Sequence, residues 1–237
     1  MPDPGTDETY QDAFARISDA LDAGRTDLGA LGFWRLLARV KADPVIARHW
    51  ADVAGDLDRR AFEARVRFRA PVWLGNAVLI LGTLVGALAV GTSLGTDSEL
   101  LAGVALVAAG GIWSVSWHCL AHWVVGRVVG IAFTSYFLGG PFPPRPGLKT
   151  DYGTYLKTAP GARAWMHASG ALATKLAPFV ALAFWPATEA PWWSAAALAA
   201  LGVLQIVTDV LFSVRSSDWK KVGRERAVAR RHAGAVP

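Results

Sequence analysis

The sequence predicts an all-α, polytopic membrane protein with four transmembrane helices and an N-terminal amphipathic helical region. Three observations carry this. The apolar residues, 53% of 237, are gathered in long blocks and give a positive mean hydropathy of +0.30. Eleven tryptophans suit a chain with many membrane interfaces. The basic residues gather beside the blocks: RRAFEARVRFR precedes the first, and KKVGRERAVARRH follows the last. Three regions follow, an amphipathic helical region over 1–69 on the cytoplasmic side, a membrane domain over 70–214 and a basic tail over 215–237.

In the first region Tyr10, Phe14, Ile17 and Leu21 fall on one helical face. Asp43 followed by Pro44 reads as an N-cap with proline at the first helical position. Val45, Ile46, Trp50, Val53 and Leu57 continue as a second stripe, so two or three short amphipathic helices are expected. His49, beside Trp50, reads as a surface or packing histidine.

The first span is PVWLGNAVLILGTLVGALAVGTSL, Pro71 to Leu94, long enough for a hydrocarbon core of about 30 Å. Its Gly82 and Gly86 offer a small-x-x-x-small face for close helix contact. The second span starts near Glu99, the third covers about Ala162 to Trp185, and the fourth about Trp192 to Val214. Between the second and third lies FTSYFLGGPFPPRPGLKTDYGTYLKTAP, too rich in Pro and Gly for a helix and longer than a usual connection. Gly126 and Gly130 read as positions of tight packing, and Arg127 as a cytoplasmic anchor.

Lys and Arg are absent from GTSLGTDSE and PATEAP but present before the first span, at Arg145, Lys149 and Lys157, and in the tail. The positive-inside rule therefore puts both termini in the cytoplasm of a multi-pass cell-membrane protein. Basic segments beside spans report topology and lipid, so the bilayer is the expected partner and nucleic acid is not. The single cysteine, Cys119, excludes an intrachain disulfide and a cysteine-based zinc finger. The acidic N-terminus does not read as a signal peptide.

The chemistry concentrates in the second span, in WHCLAHW. His118 and His122 are four residues apart, so both imidazoles leave one face of a helix and form half of a tetrahedral zinc site. The bland alternative is two half-polar histidines packed against neighbouring helices. Ligating groups at membrane depth are costly and are read first as functional. At a rise of 1.5 Å per residue, His118 lies about 28 Å from the outer end of its helix and Asp209 about 27 Å from the outer end of the fourth. His167 enters the same layer from the cytoplasmic side, about 9 Å into the third span. Lys175 needs to snorkel or to pair with an acid such as Asp209.

HCLAH, SGALATK with Gly170 and Thr174, and DVLFSVRSSDWKKVGRE with Asp218, Lys221 and Arg224 follow one another in order. From about Glu99 to Arg226 this order resembles the site-2 protease family of intramembrane zinc metalloproteases. That family carries H-E-x-x-H in one membrane helix, G-P-x-x-N in a later one, and a final segment whose Asp is the third ligand. The resemblance implies a bound zinc ion held by His118, His122 and Asp218, and a transmembrane or juxtamembrane segment of another protein as substrate. The glutamate that serves the family as general base is replaced by Cys119, whose side chain is too short and whose thiol is not a carboxylate. Asp209 and His167 are then the candidate catalytic groups. If the chain unwinds between the two acids, Asp218 is ligand and Asp209 base; on a straight helix, depth favours Asp209 as ligand. Asp218 also suits an ordinary N-cap for the tail helix. A catalytically inactive relative, keeping the metal to bind membrane segments, is the competing expectation. Five histidines are too few for a di-iron hydroxylase, and two on one turn cannot clasp opposite faces of a haem.

Overall fold

A computed structural model describes residues 4–139, 145–211 and 217–234. The chain is 77% helical, with ten helices among the described residues. It divides into two compact units, one from Met1–Val72, Gly126–Arg163 and Arg224–Pro237, the other from Trp73–Val125 and Ala164–Gly223.

The second unit holds the membrane-spanning segments. Helices α5 (Val72–Gly95), α6 (Glu99–Val128), α8 (Pro160–Leu182) and α9 (Trp192–Leu211) are long and apolar enough to cross a bilayer. Their outward faces are Leu, Val and Trp, as lipid requires: Leu84, Leu88, Val115, Leu204 and Val210 are all exposed. The inward faces are small. A Cβ on Gly82 would lie 2.4 Å from the Ser116 hydroxyl, and one on Gly86 2.3 Å from Trp113 Nε1. The glycine face read from the sequence therefore lets α5 lie against α6, and the Trp113 indole donates to the Thr83 carbonyl across that contact at 3.0 Å. Val90, Leu106, Trp113, Ala177 and Leu198 form the buried core of the unit.

The first unit is built from α1 (Pro4–Asp22), α2 (Phe33–Val40), α3 (Pro44–His49), α4 (Ala51–Arg65), α7 (Tyr152–Lys157) and a three-stranded antiparallel sheet ordered β1 (Arg69–Ala70), β2 (Phe133–Gly139), β3 (Arg145–Thr150). Phe14, Phe33, Leu37, Val40, Leu57 and Leu156 share one core. Asp43 caps α3 as the sequence indicates, its carboxylate accepting from the amides of Val45 and Ile46 at 2.6 and 3.1 Å. The stripe from Val45 to Leu57 does not run on one face: the chain breaks at Trp50 between α3 and α4, which buries Trp50 and Leu57 and leaves Val45 and Val53 exposed.

The Pro/Gly-rich connection is more ordered than its composition suggests. It contributes β2, β3 and α7, which Asp151 caps by accepting from the Thr154 amide at 2.7 Å. Its 140–144 part, with most of PFPPRPG, lies outside the described residues. Gly130 is not a packing position either: its φ of 87° takes it into the left-handed region, where it stops α6 with Ile131 N donating to the Gly126 carbonyl at 2.8 Å.

Candidate metal centre

Helix α6 presents His118 and His122 one turn apart, and their rings meet edge to face at 4.8 Å. Asp218 opens α10 (Asp218–Gly234) and brings a carboxylate to the same place. Asp218 Oδ2 lies 3.5 Å from His118 Nε2 and 3.2 Å from His122 Nε2, and one ligand atom from each residue falls within 4.8 Å of the others. A tetrahedral zinc ion with bonds of about 2.0–2.1 Å places its ligands roughly 3.3 Å apart, so two edges of the triangle already have that length. The three can hold a metal ion by geometry and by donor set.

The hydrogen bonds behind the rings fix which nitrogen faces the centre. His122 Nδ1 lies 2.6 Å from the Met166 carbonyl, which can only accept, so Nδ1 donates there and Nε2 is the nitrogen that faces Asp218, 3.2 Å from Oδ2. His118 Nδ1 lies 2.9 Å from Thr174 Oγ1, and that hydroxyl donates to the Gly170 carbonyl at 3.0 Å. With that proton committed to Gly170, Thr174 accepts from His118 Nδ1, and Nε2 is the nitrogen that faces Asp218, 3.5 Å from Oδ2. This is the outer shell that metal-binding histidines use.

Gly170 has a second function. A Cβ there would stand 2.3 Å from His122 Nε2, so only glycine lets the ring lie flat against α8. Lys221 holds the other carboxylate oxygen, its Nζ 3.0 Å from Asp218 Oδ1. Burial pushes the Asp218 carboxyl up, but its hydrogen bond to His122 Nε2 at 3.2 Å and the Lys221 ammonium outweigh it and hold the group well below the usual carboxylate range. Asp218 does not act as the N-cap of α10; it is Ser217 whose hydroxyl faces the first-turn amide of Lys220, at 3.4 Å.

His167 stands at the edge of the centre, with Nδ1 3.9 Å from Asp218 Oδ1 and its ring 6.4 Å from that of His122. Asp209 is engaged differently. It forms an ion pair with Lys175, which also donates to the Ala171 carbonyl at 3.1 Å and lies 5.7 Å over the Trp219 ring. Among the described residues no further His, Cys, Asp or Glu joins the group of three. Cys119 is a free thiol on the turn between the two histidines.

The centre is buried on one side only. His122 and Asp218 keep 11% and 15% of their side-chain surface and His118 keeps 37%, so access is from the His118 side. The residues behind the ligands left unequal traces in the sequence. Thr174 and Gly170 stand out through the ordered motifs, whereas the Met166 acceptor is a backbone carbonyl and has no side-chain signal. His49 packs edge to face on Trp50, as a packing histidine does.

Compared with family models, with curated proteins and with solved structures, the chain matches none.

Proposed function

We propose that this is a membrane-embedded zinc protein of the metallopeptidase type, with His118, His122 and Asp218 as ligands and a transmembrane or juxtamembrane protein segment as substrate. The observation that carries the reading is the convergence of two imidazole Nε2 atoms and one carboxylate oxygen, each residue held from behind by its own hydrogen bond. Two histidines and a carboxylate leave a fourth position of a tetrahedral ion open, the ligand economy of a catalytic zinc site. Zinc held there supplies Lewis acidity, which polarises a peptide carbonyl and makes water acidic enough to attack near neutral pH. Both termini and the basic segments belong to the cytoplasmic side on this reading, as the Lys/Arg bias indicates.

The side chains then divide the remaining tasks. Thr174 and the Met166 carbonyl hold the two imidazoles, and Lys221 holds Asp218 so that a single oxygen faces the centre. To His167, whose Nδ1 lies 3.9 Å from Asp218 Oδ1, we assign the role of taking the proton of the attacking water and returning it to the amine when the C–N bond breaks. We assign Asp209 to neutralising Lys175 within the membrane rather than to proton transfer, because it is paired with that lysine and stands outside the group of three ligands.

A specific observation favours a second reading, a metal-holding relative that binds membrane segments without cutting them: Cys119 stands where a glutamate base is needed, and Asp218 is the one carboxylate in the described cluster. The test is to map new protein N-termini in membranes expressing the wild type, His118→Ala or His167→Ala. Termini present with the wild type and absent with both variants support hydrolysis. Zinc without new termini supports the second reading, and neither zinc nor termini contradicts both.

A further inference from the structure

The first unit carries a charged groove that the metal centre does not use. A cavity of about 710 Å³ is bordered by Arg16, Arg25, Arg35 and Arg39 and floored by Ile17 and Leu36, both buried. Four guanidinium groups around one concavity repel one another, and a low-dielectric floor concentrates their field. None of the four is ion-paired to a carboxylate among the described residues, although Asp12 and Asp19 lie within one turn of Arg16 on α1. Several other arginines of the same unit are ion-paired. Arg59 reaches Asp56, Arg60 reaches Asp22, Arg65 reaches Asp27 and Arg69 reaches Glu63.

The backbone positions these side chains rather than leaving them to chance. Arg25 follows the left-handed Gly24, and its amide is locked to the Ala20 carbonyl at 2.9 Å at the end of α1. Arg35 lies back along Gly32, whose added Cβ would stand 3.6 Å from the guanidinium nitrogen. Gly32 also begins α2 with no side-chain cap and no acid in the first turn.

We propose that this groove binds a phosphate-bearing anion carrying at least two negative charges, free in solution or as a lipid headgroup. The forked guanidinium matches phosphate oxygens two at a time, several forks can share one pyrophosphate or phosphomonoester, and the apolar floor accepts the organic part of the molecule. The cavity has the volume of a small-molecule site. The site is separate in sequence and chemistry from the metal centre and does not depend on its assignment.

The probe is inorganic pyrophosphate, titrated by calorimetry into full-length protein in detergent after EDTA treatment, so that no metal contributes. Saturable binding that weakens as salt rises is expected, with a loss of about tenfold or more in Arg25→Gln and in Arg35→Gln. Arg59→Gln, which touches Asp56 instead of the groove, keeps wild-type affinity; because all these arginines are exposed, unchanged helical circular dichroism certifies the fold. A water-soluble dioctanoyl phosphoinositide is the second arm. Binding at least tenfold tighter than pyrophosphate assigns the anion to a lipid headgroup, and comparable or weaker binding assigns it to a soluble ligand. No binding of either probe, or equal binding by the Arg25→Gln and Arg35→Gln proteins, overturns the proposal.

Discussion

Thr174 decides the state of His118. Its hydroxyl proton goes to the Gly170 carbonyl, so its oxygen accepts from Nδ1, and the imidazole is held with Nε2 towards the centre. Thr174→Val keeps the shape of the side chain and removes the acceptor. We expect this variant to bind zinc about 10–100-fold more weakly than wild type, measured by competition with a chelating dye, with unchanged helicity. Affinity equal to wild type would show that His118 needs no such partner. The two histidines of this centre were legible in the sequence because i, i+4 spacing is a property of the helix alone. Asp218 was legible only through the order of motifs, since its arrival depends on where α10 begins. The Asp209–Lys175 pairing explains why depth along a straight helix was an ambiguous guide. A layer 1.5 Å per residue deep says how far a group lies from the surface, but it does not say which neighbour it meets.

Helix α8 acts on the centre as an element, because Gly170, Thr174 and the Met166 carbonyl all lie on its one face towards α6. Gly170→Ala puts a methyl where the His122 ring lies, so the ring must turn away. Metal content should fall to a small fraction of wild type in Gly170→Ala, while Gly161→Ala, where nothing lies within 4 Å of the new Cβ, should leave it unchanged. In the first unit the corresponding element is α10, whose buried Glu225 accepts from Lys41 at 2.8 Å, Tyr155 at 2.9 Å and Arg163 at 2.6 Å. Burial raises the Glu225 carboxyl, but Lys41 and Arg163 outweigh it and hold it below the ordinary value of 4.5. A depressed acid stabilises the fold fully above its unfolded value, and that stabilisation is lost as pH falls through the folded one. Glu225→Gln leaves two cations buried and should cost about 3–5 kcal/mol at pH 7. The gap between wild type and variant in thermal unfolding should narrow as pH drops below 4.5, and a gap that stays constant would contradict this. Elements were unequally legible. The four spans follow from length and apolarity alone, and they were read to within a few residues. The sheet was not, because Pro and Gly in the connection mask strands whose stability comes from pairing β2 with β3 rather than from local propensity.

At the scale of the whole molecule, the chain separates a unit of long apolar helices holding the candidate metal centre from a unit with a conventional apolar core, buried ion pairs and a basic groove. The Lys/Arg bias makes a simple topological prediction. In a Cys119→Ser background, Asp97→Cys should react with a membrane-impermeant maleimide in intact cells, and Arg230→Cys should react only after lysis. The opposite pattern would invert the protein in the membrane and place the metal centre near the outer face. The separation into two units was not visible in the sequence, because three stretches far apart in the chain combine in the first of them.

The most direct test of the central claim is metal analysis by plasma mass spectrometry of the detergent-purified protein beside His118→Ala and Asp218→Ala. About one zinc per wild-type chain, with each variant losing most of it, is the predicted result. Wild-type protein with no bound metal after purification without chelators, or zinc retained in full by both variants, would contradict it.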